Sequence, residues 1–263
     1  MDVLDARDPL AVAVTAAIRA GDVPALRALL GAHPGLAAAG IRQEGEAAGT
    51  RSLLHIATDW PGHFPAAPET IAVLVAAGAD PGARFVGAHA ETPLHWAASN
   101  DDVAALDALL AAGADIEADG AVIGGGTPLA DARGFGQWRA ARRLLEHGAR
   151  TTLQDAATLG LLDRVEAAFG APSGAASGAA VEASSEASAA TGPPDAEDIG
   201  SAFWGACHGG QLATARYLLA QGAEVDRVGY DGMTPLDIAV AAGAEDVAAW
   251  LRGLGARPRA EQE

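Results

Sequence analysis

Glu91-Thr92-Pro93-Leu94-His95-Trp96-Ala97-Ala98, continued by Leu109-Leu110-Ala111-Ala112-Gly113-Ala114-Asp115, is the stretch whose reading decides the fold. Thr92 is a helix-capping residue type, with a side-chain oxygen able to accept from a free N–H two or three positions on. Pro93 then falls at the first helical position, where its missing donor costs nothing. Gly113 stands where a second helix must end in a left-handed residue. Leu94, Ala97, Leu106, Leu109 and Leu110 are spaced to give two short helices one shared apolar face. The spacing predicts a helical hairpin, with 21 residues from Thr92 to Gly113.

The hairpin recurs along the chain. Ser52-Leu53-Leu54-His55-Ile56-Ala57 opens a copy that closes at Gly78, 26 residues on, so its inner turn carries five extra residues within Trp60–Pro68. Three prolines there stop the helix and fix the loop. Thr127-Pro128-Leu129-Ala130 opens another, closing at Gly148, and a further copy spans Thr151–Phe169. Ser201-Ala202-Phe203-Trp204 leads to Gly222, and Thr234-Pro235-Leu236-Asp237 leads to Gly255. Val14–Leu30 reads as a degenerate opening hairpin, and Ala32–Gly49 as an irregular connection with a short helical turn. The connections Pro81–Glu91 and Ile116–Gly126 are long fingers projecting from one edge. Residues 171–198 are rich in Ala, Ser, Gly and Pro without apolar periodicity, which predicts a flexible insertion.

These copies resemble the ankyrin repeat, T-P-L-H-x-A-A followed by L-L-x-x-G-A-D. The resemblance implies an all-α ankyrin-repeat solenoid of about seven helix-turn-helix units with long finger loops, over one domain, 1–263. Residues 1–37 would be its N-terminal cap and 234–257 its C-terminal cap repeat. It also implies a non-enzymatic module that binds an unidentified protein through the concave groove and the fingers, with no cofactor. Carried over position by position, the groove includes Ile56, Asp59 and Trp60; Trp96, Ser99 and Asn100; Asp131, Gly134 and Phe135. It continues through Asp155, Thr158 and Leu159, then Gly205, His208 and Gly209, then Ile238, Ala241 and Ala242. Trp60, Trp96, Asn100, Asp131 and Phe135 are the expected partner-binding residues, because tryptophans that no core requires are frequent interface anchors. The competing reading packs Trp60 and Trp96 against each other or against the fingers. His55 and His95 take the family's His position and are expected to bond backbone groups of neighbouring repeats, whereas Gln154, Asp237 and Trp204 replace it elsewhere.

Composition narrows the function. The 263 residues are half apolar, mostly Ala, Leu and Val, which suits closely packed short helices. All 17 basic residues are Arg, against 34 acidic ones, for a net charge of −17. That balance argues against nucleic-acid binding, which needs basic clusters, and against an anionic membrane surface. The Arg-only, Ala-rich usage fits high-GC bacterial coding. An acidic N-terminus without a basic and apolar leader, and no apolar run long enough to span a bilayer, predict a cytoplasmic protein.

Other chemistries are weaker. Asp59, His63, Asp131, Asp155 and His208 form an alternative acid–base set, roofed by the inserted loop 60–68, for a small-molecule binder or enzyme. No metal site is expected: Cys207 is the single cysteine, and consecutive Cys207-His208 on a helix cannot face one ion. Cys207 instead aligns with a buried small-residue position. Gly124-Gly125-Gly126 before Thr127 lacks a phosphate-loop lysine and reads as a fingertip. Arg139, Arg142 and Arg143 form the one basic cluster, expected to pair locally with Glu146.

Overall fold

The computed structural model describes residues 2–45, 48–170 and 193–261. Fourteen α-helices lie among them, joined in sequential pairs. The sequence reading places no boundary within 1–263; by packing, the chain divides into two compact units, Met1–Ala149 and Arg150–Glu263. Each is described by itself.

In the first unit, α1 (Pro9–Ala20) pairs with α2 (Val23–Ala32), and α3 (Leu53–Ala57) with α4 (Ala67–Ala76). Next come α5 (Pro93–Ser99) with α6 (Val103–Ala111), and α7 (Pro128–Gly134) with α8 (Trp138–Glu146). The pairs stack, α1 on α3, α3 on α5 and α5 on α7, with α2, α4, α6 and α8 forming a second layer. Helices this short are marginal alone. Their stability comes from Leu53, Leu54, Leu74, Leu94, Leu106, Leu109, Leu129 and Leu144, all fully buried. Each contributes about 1.5–3 kcal/mol of apolar burial. Ala97, Ala98, Ala105, Ala132, Ala140 and Ala141 are equally buried, and their small side chains let neighbouring helices approach closely. Gly113 closes the third pair at φ 89°, in the left-handed region that its sequence position requires.

The opening of the chain departs from the sequence reading. The first helix starts at Pro9 rather than Val14, capped by Asp8, whose carboxylate accepts from Leu10 N–H at 2.8 Å. The expected irregular connection contains a strand. β1 (Val3–Asp5) runs parallel to β2 (Gly40–Gln43), which pairs antiparallel with β3 (Gly49–Ser52). Thr50 then bridges to Val86, tying the sheet to the first long finger. Local periodicity does not reveal this sheet, because its parallel pairing joins segments 37 residues apart (Val3 to Gly40).

In the second unit, α9 (Leu153–Thr158) pairs with α10 (Leu162–Ala168), α11 (Ala196–His208) with α12 (Leu212–Ala220), and α13 (Pro235–Ala241) with α14 (Glu245–Gly253). Phe203, Ala206, Leu218, Ala239, Val247 and Leu251 form its core. Of the expected flexible insertion, residues 171–192 lie outside the described residues. Its last residues are not loop: α11 begins at Ala196, five positions before the expected Ser201. Asp195 and Asp198 cap it reciprocally, each carboxylate accepting the other's backbone N–H.

Candidate functional site

The two family-position histidines stitch hairpin to hairpin in the first unit. Ser52 N–H donates to His55 Nδ1 at 3.2 Å, so Nε2 carries the proton and donates to the Glu91 carbonyl at 3.0 Å. His95 repeats this one hairpin on: Thr92 N–H donates to Nδ1 at 3.1 Å, and Nε2 donates to the Gly126 carbonyl at 3.3 Å. The Thr92 hydroxyl engages the same ring nitrogen at 2.9 Å, and Thr92 and His95 together form a capping box at the start of α5. Both rings are fully buried, and that burial pulls their pKa down to about 4.

Trp96 is not a free groove anchor. Its ring meets His55 edge-on at 4.8 Å between centroids and Phe85 of the first finger at 5.5 Å, and the Arg51 guanidinium lies 5.7 Å from it. The finger folds back over the tryptophan, as in the competing reading. Asn100 is also structural, donating to the Thr58 carbonyl at 2.8 Å and so holding one inter-helix turn to the previous one.

Asp131 sits beneath the second finger, fully buried, with Oδ1 accepting from Ile123 N–H at 3.1 Å. Its Oδ2 makes no hydrogen bond within 3.5 Å. Burial raises its pKa to about 7; the backbone N–H groups of Ile123 and Val122 oppose the rise, and the neighbouring Glu91 carboxylate adds to it. Glu91 is raised by burial as well. Sequence reasoning missed this pair, because 40 positions separate its members and Glu91 reads as a finger terminus.

The alternative acid–base set does not assemble in the first unit. Asp59 Oδ2 accepts from Arg19 at 2.8 Å and from Arg51 at 2.9 Å. His63 donates its backbone N–H to Asp102 at 2.6 Å and bonds the Asn100 carbonyl through Nε2 at 3.0 Å. Asp59, His63 and Asp131 thus have three separate partner sets. Loop 60–68 supplies none of the lining of a cleft of about 340 Å³ in this unit, which is formed mainly by α1, β2, β3 and α3. The loop is nevertheless anchored, and it carries Trp60 at 79% exposure, while Phe135 is 49% exposed at the equivalent turn two hairpins on.

In the second unit, Asp155 is displaced from its expected role by a shift of register. The cap of α9 is Thr152, not Thr151, which puts Asp155 in the His position. There it accepts from Thr152 N–H at 2.9 Å and from its hydroxyl at 2.7 Å, and its side chain is buried. His208 packs its ring 5.6 Å from that of Trp204. Trp204 does by another ring what the histidines do, donating Nε1–H to the Met233 carbonyl at 3.1 Å, the residue before Thr234. Cys207 is a fully buried thiol raised to about 12 by burial. A cleft of about 250 Å³ lies beside Trp204, Arg227 and Tyr230.

Of the arginine cluster in the first unit, Arg143 pairs with Asp107 and with Glu146, both at 2.7 Å. Among the described residues no three His, Cys, Asp or Glu side chains gather to hold a metal ion. No described helix is long and apolar enough to cross a membrane.

Stacked helical hairpins joined by buried ring-to-carbonyl bonds define a helical-repeat scaffold. A family model described as ankyrin repeats (3 copies) matches residues 16–155, and a second, ankyrin repeats (many copies), matches residues 204–252. The chain belongs to the ankyrin repeat family. No curated protein matches it.

Proposed function

We propose that the chain is a non-enzymatic protein-binding module that meets its partner along the inter-helix turns and fingers of the first unit, with Trp60 and Phe135 as apolar anchors. Ankyrin repeats are in general protein–protein interaction modules. The observation that carries the finer reading is Trp60, a large apolar ring left almost wholly in solvent on a loop that His63 pins to Asp102 and Asn100. A pre-organised, exposed tryptophan loses little entropy on binding and desolvates a large area, which is the profile of an interface hot spot. Trp96, Asn100 and Asp131 serve this surface indirectly, by fixing the finger and the turns.

Affinity capture with the full chain beside a Trp60→Ala/Phe135→Ala variant tests the reading. The expected result is one or more partners retained by the wild type and lost by a variant of unchanged unfolding midpoint. Equal retention by both proteins would refute it.

A further inference from the structure

We propose that the first unit's cleft recognises a carboxylate, and that it takes an acidic side chain of the protein partner beside the apolar anchor Trp60. This rests on the protein-binding reading above. Arg19, Arg51, Thr15 and Gln43 line the cleft together with Val12 and Ile41. Two guanidiniums converge on a single oxygen, Asp59 Oδ2, which leaves a local excess of positive charge in a chain whose net charge is −17. Arg51 is further committed to Gln43 Oε1 at 2.9 Å, and its buried Nε has no hydrogen-bond partner. Arg19 uses one Nη on Asp59, and its side chain is 48% exposed. Its remaining N–H groups form a fork suited to bidentate contact with a carboxylate. Val12, 54% exposed, offers the wall against which the stem of an acidic residue can lie.

The choice of a partner's side chain over a free small anion follows from charge and from connectivity. A free anion approaches against the field of the whole chain and gains few contacts. An acidic residue carried on a protein that covers Trp60 is delivered by that contact. Asp59 joins the two features, since its Oδ1 accepts from Trp60 N–H at 3.0 Å while Oδ2 holds both arginines. The geometry points to a partner segment with Asp or Glu next to a large apolar residue.

The test pans a phage-displayed library of random dodecapeptides against the full chain, then titrates a synthetic copy of an enriched peptide. Enriched sequences are expected to carry an acidic residue beside an aromatic or branched apolar one. Arg19→Ala should weaken the synthetic peptide about tenfold, the usual scale for a charged hydrogen bond. Replacing the peptide's acid by its amide should weaken wild-type binding equally, with no further loss on Arg19→Ala. Arg19→Gln, which keeps the stem, replaces Arg19→Ala if the unfolding midpoint of the latter falls. Enrichment without acidic residues, no enrichment, or binding indifferent to Arg19 would overturn the inference. Loss on Trp60→Ala with indifference to Arg19 would sink this inference and leave the protein-binding reading standing; indifference to both would sink the two together.

Discussion

Asp131→Asn in the full chain probes the buried carboxyl pair. Asp131 is sealed beneath the second finger, with the Glu91 carboxylate beside it and one oxygen unbonded. Burial raises it from the ordinary 3.8 to about 7. Because the folded value lies above the unfolded one, the native chain keeps this proton at pH values where the unfolded chain has lost it. The associated stabilisation is whole below about pH 3.8 and is lost as pH rises through about 7. At about 1.4 kcal/mol per pH unit, roughly 2–3 kcal/mol of that loss falls between pH 5 and pH 8. Asparagine is neutral throughout and keeps a carbonyl for Ile123 N–H. The unfolding free energy of the variant, relative to wild type, should therefore climb by about 2–3 kcal/mol from pH 5 to pH 8. Urea denaturation followed by circular dichroism at four pH values measures it, and His55 and His95 cancel in the difference. A difference flat with pH, or falling toward pH 8, would refute the reasoning.

His95→Ala removes the ring that joins Thr92 to the Gly126 carbonyl and should cost about 2 kcal/mol at pH 7. Its folded pKa of about 4 lies below the unfolded 6.5, so the wild type loses stability as pH falls through this window, and the variant's deficit should shrink toward pH 5; denaturation at both pH values checks this. Trp96→Ala, which strips a ring packed on His55 and Phe85, should cost about 2–3 kcal/mol, whereas Trp60→Ala should change stability by less than about 0.5 kcal/mol. Thermal melts of the two variants side by side decide between a structural and a surface tryptophan. Cys207 should resist a thiol reagent at pH 8 in the native chain and react at once in denaturant, since its thiol is both buried and raised to about 12.

What the sequence made legible is what local rules encode. Thr92-Pro93, the buried leucines and Gly113 each report on a few neighbouring residues, and the hairpins follow from them. What it concealed depends on distant partners. The strand at Gly40–Gln43 exists because Val3–Asp5 lies beside it, and Trp96 is covered because Phe85 folds back from the finger. Asp155 was misread because Thr151 and Thr152 are equally good caps and no proline follows to fix the register, a single-residue ambiguity that turns a groove residue into a buried one. The Glu91–Asp131 pair needed two consecutive fingers to be placed before either carboxyl had an environment. Trp60 was readable from both sides: surplus to the core by spacing, and exposed in the fold.

The central claim is that the first unit meets another protein at Trp60. A photo-reactive phenylalanine analogue placed at position 60, with a second copy of the experiment at exposed Leu254, tests it most directly. Irradiation in the native extract should give a discrete cross-linked protein from position 60 and none from position 254. Cross-links of equal yield and identity from both positions, or none from position 60, would contradict it.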